Sequence, residues 1–152
     1  MKIEFHTFTL PNGLRVIHKE VPRSASHVAL VVNAGSRDEL SDEAGVAHFI
    51  EHCLFKGTEK RKTFHILNRL ERVGGELNAY TTKEDTWISA SFLERDLSRA
   101  IELIADIAFH STFPEKEILA QNSFHRHFNF YYLFCCCRGV NEHSIKKCRE
   151  FQ

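Results

Sequence analysis

The sequence predicts an α+β fold in which helices pack on a mainly antiparallel sheet. Two pairs of strand-like segments flank short polar turns, and other segments have the apolar spacing of amphipathic helices. These strands and helices occur in groups and do not alternate one by one, which argues against a parallel α/β sheet. A chain of 152 residues with 43% apolar residues is long enough to bury the core of one domain.

The chain begins with a predicted hairpin and a separate strand. Strands are expected at residues 3–9 and 14–20, because Pro11-Asn12-Gly13 between them favours a tight turn. A third strand is predicted at residues 28–34, where the sequence is almost continuously apolar before Gly35. Such a run is typical of a strand covered on both faces, so we expect this strand to lie centrally in a sheet.

Two helices are predicted next. The first spans residues 41–55, because Ser41, Asp42 and Glu43 can cap its start and Gly57 can end it. Thr63 can cap the second helix, which the pair Gly74-Gly75 ends.

The next part of the chain predicts a second hairpin and further helices. Strands at residues 76–82 and 86–93 alternate in polarity around the polar turn Lys83-Glu84-Asp85. A long amphipathic helix follows over residues 96–109, and Pro114 begins another helix at a position where proline is tolerated.

The helix predicted at residues 41–55 carries a candidate metal motif. His48 and His52 are four residues apart, so their imidazoles lie one above the other on the helix and can bind one Zn²⁺ ion. Glu51 lies on the same face, where its carboxylate can take a proton from a water that attacks a peptide carbonyl. The alternative is a polar helix face that only contacts solvent. Phe55 on that face counts against this alternative.

Composition excludes several other classes of function. Twenty basic residues balance twenty acidic ones, so the chain has no net positive charge to attract nucleic acid or anionic lipid. No apolar run reaches the roughly 18 residues of a membrane span. Its first residues lack the apolar stretch of a secretory signal, and four of the five cysteines crowd after residue 134. We therefore expect a cytoplasmic protein that binds neither nucleic acid nor membrane.

Several segments together resemble the pitrilysin/insulinase family of zinc metallopeptidases, which includes mitochondrial processing peptidase. These segments occur in the family's order, and the resemblance as a whole spans residues 1–118. The segments that carry the resemblance are Pro11-Asn12-Gly13-Leu14, residues 33–39, residues 45–52, Phe55-Lys56-Gly57-Thr58, and residues 74–81 followed by Thr86.

The resemblance implies a zinc metalloendopeptidase that hydrolyses extended peptides. It implies His48 and His52 as zinc ligands and Glu51 as the general base, in the inverted order H-x-x-E-H. It also implies that Asn78 and Ala79 bind a substrate peptide that adds to the edge of a sheet. A family-type partner domain or a homodimer is a further implied partner. Without the resemblance, Asn78 is more simply a residue that hydrogen-bonds at a strand end.

The chain departs from the family after Ile118. The resemblance implies that a glutamate on a later helix completes the zinc site, but the matching position falls near Phe128. A second glutamate of that family helix would fall near Gln121, and residues 119–141 contain no acid. His125 and His127 are nearby substitutes as ligands.

We therefore predict an incomplete metallopeptidase-like domain at residues 1–118 and an atypical tail, rich in cysteine and aromatic residues, at 119–152. An interrupted or frame-shifted gene would explain the change in composition. The tail's contiguous cysteines lack the spacing of a separate zinc cluster, so a poorly ordered segment is expected. The alternative function is a truncated, non-catalytic remnant that lacks the third ligand and acts at most as a fragment that binds a peptide or partner.

Overall fold

The computed structural model describes residues 5–22, 25–42 and 44–116 of the chain. Helices and antiparallel strands form this part, so the predicted α+β fold class is confirmed. The elements in chain order are β1 (His6–Thr9), β2 (Arg15–His18), β3 (Ala25–Val32), α1 (Val46–Leu54), α2 (Thr63–Glu71), β4 (Glu76–Thr81), β5 (Thr86–Leu93), a 3₁₀ turn (Glu94–Asp96) and α3 (Leu97–His110). No helix in these ranges has the length and hydropathy needed to cross a membrane. The predicted boundary after Ile118 and most of the helix predicted from Pro114 lie outside them.

The opening hairpin is confirmed, although its strands are shorter than predicted. β1 pairs antiparallel with β2, and the Gly13 N–H donates to the Leu10 carbonyl at 2.9 Å to close the turn. Gly13 has a φ of 87°, in the left-handed region that favours glycine. The Asn12 side chain accepts a hydrogen bond from the Leu14 N–H at 3.2 Å, so the predicted turn residues act locally.

The second sheet has the strand order β3-β5-β4, with both neighbouring pairs antiparallel. The prediction that the third strand lies centrally is therefore wrong, since β3 is an edge strand within the described residues. Val28 and Leu30 pack against the core, whereas Ala29 and Val31 on the other face are exposed. An apolar run here does not mean cover on both faces, because small or single apolar side chains are common on protein surfaces.

The three helices pack on one face of this sheet and enclose the core. α1 and α2 contact β4, while α3 contacts β5 and β3. The core is centred on the fully buried side chains Ile66, Leu70, Ile88, Leu103 and Ile107. Burying each such side chain contributes about 1.5–3 kcal/mol to folding, so this core fixes where the helices lie on the sheet.

The opposite face of the sheet carries an aromatic pair. Tyr80 on β4 and Trp87 on β5 are directly opposite in the register. Their rings stack with centroids 5.7 Å apart and planes 9° apart. Such cross-strand aromatic pairs stabilise a sheet, and this one adds to the contact between β4 and β5 near their connecting turn.

α1 begins at Val46, five residues later than predicted, and Ser41 and Asp42 do not cap it. Its N-cap is Gly45, which has a φ of 94° and no side chain to offer a hydrogen bond. The Glu39 carboxylate instead accepts hydrogen bonds from the Gly45 and Ala47 N–H groups, at 2.7 and 2.8 Å. An acid at this end of a helix also interacts favourably with the helix dipole. Glu39 therefore anchors the start of the helix that carries the metal motif.

The loop that presents Glu39 is held against the β4–β5 turn. Backbone hydrogen bonds join Ser36 to Thr82 and Arg37 to Lys83, at 3.0 and 2.9 Å. At Gly35 the backbones approach so closely that a Cβ atom would lie 2.6 Å from the Lys83 carbonyl carbon, so only glycine fits. The loop, the turn and the start of α1 are thus connected by short contacts.

A buried polar network joins the segment after α1 to α3. Asp106 on α3 is 3% exposed and accepts hydrogen bonds from the Thr58 hydroxyl at 2.8 Å and from Arg61 at 2.5 Å. The Arg61 guanidinium also donates to Glu102 at 2.6 Å, and Arg69 of α2 donates to the same carboxylate at 3.1 Å. The network therefore connects α2, α3 and the segment that follows the metal motif.

The network shifts the pKa values of its charged members. Burial alone would raise the pKa of Asp106, but hydrogen bonds from Thr58 and Arg61 and the Arg61 charge together lower it. Burial would likewise raise the pKa of Glu102, and Arg61 and Arg69 outweigh it and lower that pKa. Both carboxylates are therefore ionised and paired with arginine at neutral pH.

Candidate metal centre

The sequence of α1 separates a buried side from a polar side. Phe49, Cys53 and Leu54 are buried against the rest of the domain. The His48 side chain is 55% exposed and that of Glu51 is 15% exposed. Because one helical turn is about 3.6 residues, positions 48, 51 and 52 fall on one flank of the helix. The structure therefore brings together the three residues of the predicted metal motif.

The two imidazoles converge on one point. The Nε2 atoms of His48 and His52 are 3.0 Å apart, and the ring centroids are 4.6 Å apart with planes at 85°. Two nitrogen ligands of one tetrahedral zinc ion lie about 3.3 Å apart, because Zn–N bonds are about 2.0–2.1 Å long. The histidine pair therefore fits the binding of one zinc ion through both Nε2 atoms.

Glu51 lies between the histidines and strand β4. Its Oε2 atom accepts a hydrogen bond from the Thr81 hydroxyl at 2.8 Å and is 3.5 Å from Nδ1 of His48. Thr81 is the last residue of β4, so this bond connects α1 to the sheet. The carboxylate is thus held beside the His48 imidazole.

A third protein ligand is not found in the described part of the chain, where no three His, Cys, Asp or Glu side chains converge to hold a metal ion. Catalytic zinc sites usually have three protein ligands. The position predicted for it, Phe128, and the possible substitutes His125 and His127 lie outside the described residues, as does Gln121. The same holds for the cysteines of the tail.

Asn78 and Ala79 lie on β4, which is an edge strand of the sheet in the described residues. The Thr82 N–H donates to the Asp85 carbonyl, and residues of an antiparallel pair alternate in the direction of their backbone groups. Since Thr82 bonds toward the β5 side, every second residue before it, including Tyr80 and Asn78, does the same. The N–H and C=O groups of the residues between them, Ala79 and Thr81, therefore point away from β5. The Asn78 side chain accepts a hydrogen bond from the Ala79 N–H at 2.9 Å, which agrees with this direction.

Most of the chain matches the model of a known peptidase family. A family model described as insulinase, peptidase family M16, matches residues 15–129. The chain belongs to this family. The match extends from the second strand of the opening hairpin through α1 and the core elements.

Curated proteins from distant organisms are similar in sequence. An uncharacterized zinc protease of Mycobacterium leprae is 49% identical over 104 residues, 67% of this chain and 23% of the relative. The mitochondrial-processing peptidase subunit beta of Mus musculus is 46% identical over 109 residues, 72% of this chain and 22% of the relative. The chain thus spans less than a quarter of the length of these curated relatives.

A solved protease structure shares the fold. The crystal structure of a protease from Helicobacter pylori superposes with a TM-score of 0.78 and 28% sequence identity. The superposition covers 81% of this chain and 30% of the protease chain. The arrangement of helices on the antiparallel sheet is therefore that of a known protease.

Two residues of the site were given no role by the sequence analysis. Glu39 and Thr81 both lie in segments that carry the family resemblance. Glu39 binds N–H groups six and eight residues further along the chain, and Thr81 is thirty residues from Glu51. No helical or strand period connects residues so far apart. Their position in a matching segment was the only signal in the sequence.

Proposed function

We propose that the chain is the metal-binding part of a zinc-dependent endopeptidase that hydrolyses extended peptides. His48 and His52 would hold the zinc ion, and Glu51 would act as the general base. The observation that carries this proposal is the convergence of two Nε2 atoms, 3.0 Å apart, next to a carboxylate held by Thr81. The family membership and the zinc protease named among the relatives support the same chemistry.

The chemistry divides between the ion and the chain's own side chains. A bound zinc ion would supply Lewis-acid polarisation of a peptide carbonyl and make a water molecule easier to deprotonate. Glu51 takes the proton of the attacking water on its carboxylate and later gives it to the leaving amine. The hydrogen bond from Thr81 holds one carboxylate oxygen during both transfers.

The peptide would bind along the open edge of β4. The backbone groups of Ala79 point to this edge, so a substrate in an extended conformation can pair with them as an added strand. The Asn78 side chain, which accepts the Ala79 N–H, would release it and bind the peptide backbone instead. This recognition depends on backbone shape and places the peptide beside the metal helix.

A second candidate function is a fragment that binds a peptide or partner but does not cleave. It is favoured by the finding that the described residues contain two convergent imidazoles and no third ligand. In this case β4 still offers its edge, and a family-type partner domain or a second copy supplies the rest of the site. The word "subunit" in the name of the Mus musculus relative agrees with assembly in this family.

Zinc binding and cleavage test the proposal directly. We expect the purified full chain to bind about one zinc ion and to cleave an unstructured peptide, because the histidine pair and the base are in place. The Glu51→Gln variant should keep the metal and lose at least about 100-fold in kcat, since general-base catalysis contributes about that much. Metal content is measured by mass spectrometry and cleavage with a quenched fluorescent peptide.

Single histidine variants test the zinc site, and cleavage separates the two candidate functions. His48→Ala and His52→Ala should each abolish zinc binding, whereas His65→Ala on the exposed surface of α2 should not. Fewer than about 0.1 zinc ions per unsubstituted chain would contradict the zinc site. Retained zinc and peptide binding without cleavage would favour the second function.

A further inference from the structure

We propose that Thr81 is a positioning residue that aligns the general base Glu51 with a peptide bound on β4. This inference deepens the proposed function and rests on it. Thr81 is the last residue of β4, and its hydroxyl donates a hydrogen bond to Oε2 of Glu51 at 2.8 Å. No motif or spacing in the sequence assigns this residue a role.

The geometry favours the carboxylate as the acceptor of this bond. The Thr81 hydroxyl has one hydrogen, and its other acceptor within reach, the Ala47 carbonyl, is 3.5 Å away. A hydrogen bond to an ionised carboxylate is about twice as strong as one between neutral groups. The hydrogen therefore points at Glu51, and the bond fixes one carboxylate oxygen.

Thr81 can hold its hydroxyl in a defined place. Its β-branched side chain has restricted rotation about χ1, and the backbone of β4 is fixed by pairing with β5. In the register, Thr81 is directly opposite Thr86, one position from the β4–β5 turn. The loop at Ser36 and Arg37 holds that turn through backbone hydrogen bonds. Little movement of the hydroxyl is therefore allowed.

The same residue also faces the proposed peptide. Its backbone N–H and C=O point to the open edge of β4, as those of Ala79 do, because residues two apart in a strand share one direction. The Thr81 backbone would thus pair with the peptide while its side chain contacts the base. A peptide that adds to β4 would be aligned with Glu51 through one residue.

The alternative is that Thr81 only packs β4 against α1. A packing role depends on the shape of the side chain, whereas a positioning role depends on the hydroxyl. Thr81→Val keeps the shape and removes the hydroxyl, and Thr81→Ser keeps the hydroxyl. Thr86→Val is the matched control, because the Thr86 hydroxyl donates to the Ala34 carbonyl at 2.9 Å and does not contact Glu51.

Kinetics with the zinc-loaded full chain form the first test. We expect Thr81→Val to lower kcat for an unstructured peptide by about 10–100-fold, since misplacing a catalytic group by about 1 Å can cost 100-fold. KM should change less than about threefold, because the interaction with the base acts in the transition state. Thr81→Ser should restore kcat to within about threefold, and Thr86→Val should leave it unchanged. A Thr81→Val variant with normal kcat, or a Thr81→Ser variant as poor as valine, would overturn the proposal.

A second test uses the metal-free full chain and needs no activity. Urea unfolding of Thr81→Val, Glu51→Ala and the double variant gives the coupling between the two side chains. We expect a coupling of about tenfold in the folding equilibrium constant, as for a hydrogen bond to a charged group. Thr86→Val combined with Glu51→Ala should show no coupling above about twofold.

The two tests separate this inference from the proposed function. If the unsubstituted chain does not cleave the peptide, the proposed function fails, and the unfolding cycle alone decides whether Thr81 holds Glu51. Coupling near tenfold then supports the contact, and coupling below about twofold overturns it. If the chain cleaves normally but Thr81→Val matches it in kcat, the proposed function stands and the positioning role fails.

Discussion

Single side chains from distant parts of the chain hold helix α1 in place. Glu39 accepts the N–H groups of Gly45 and Ala47, and Thr81 donates to Glu51. The placement of His48 next to His52 was predictable, because residues four apart on a helix are neighbours. The two supporting contacts were not, because they depend on how a loop and a strand pack against α1. Whether the histidines bind zinc remains a prediction.

At the residue scale, we expect Glu39→Ala to destabilise the chain by about 1–2 kcal/mol. The variant removes the acceptor for two N–H groups at the start of α1, and losing a helix cap has a cost of this size. Chemical unfolding of the metal-free chain measures the change. Asp42→Ala is the control and should change stability by less than about 0.5 kcal/mol, because Asp42 does not cap α1. Equal effects of the two variants would contradict the assigned anchor.

At the scale of elements, local sequence patterns predicted where most strands and helices lie along the chain. They did not predict which strands are neighbours in the sheet. The segments of β4, β5 and α3 were predicted within about two residues, since periodicity and turn residues act locally. The position of β3 at an edge of the sheet formed by the described residues was not predicted, because an apolar run does not show how many neighbours a strand has. The start of α1 was also misplaced, because a polar residue before a helix need not be its cap.

The buried network between Asp106, Thr58 and Arg61 leads to a prediction on acid stability. The folded-state pKa of Asp106 is below its ordinary value of 3.8, so the unfolded chain binds a proton more readily than the folded chain. The stabilisation is therefore complete above this value and is lost as the pH falls through the lower, folded pKa. We expect Asp106→Asn to cost about 1.5–3 kcal/mol near neutral pH, as for hydrogen bonds to a charged group.

Urea unfolding at several pH values between about 6 and 2.5 tests this expectation. The difference in stability between the unsubstituted chain and Asp106→Asn should shrink as the pH falls. Glu102→Gln should show the same direction with a smaller effect, because the Glu102 side chain is 44% exposed and solvent screens its ion pairs. A difference for Asp106→Asn that stays constant down to the lowest pH would contradict the assignment.

At the scale of the whole molecule, the described residues divide into a part with a buried core and a hairpin without buried residues. The core lies between α1, α2, α3 and the three-stranded sheet. The β1–β2 hairpin contributes no buried residue, and its apolar side chains Phe8 and Ile17 are 51% and 72% exposed. Two-stranded hairpins are marginally stable by themselves in water. The sequence predicted the β1–β2 and β4–β5 hairpins equally well. Local patterns do not show that only the second of them contributes residues to the core.

This division predicts unequal protection of backbone amides against hydrogen exchange. We expect amides in β1 and β2 to exchange at least about 100-fold faster than those in β5, because the hairpin can open without disrupting the core. Exchange of the metal-free full chain, followed by mass spectrometry of peptide fragments, measures the rates. Equal protection of the β1–β2 hairpin and of β5 would contradict this prediction. It would show that the hairpin cannot open without disrupting the core.

The stacked pair Tyr80 and Trp87 gives the protein its own optical probe. Trp87 is the single tryptophan of the chain, so all indole fluorescence comes from one place on the outer face of the sheet. Its stacking partner lies on β4 between Ala79 and Thr81. Tryptophan fluorescence therefore reports on the surroundings of β4 without an attached dye. It can be followed during unfolding and during titration with a peptide.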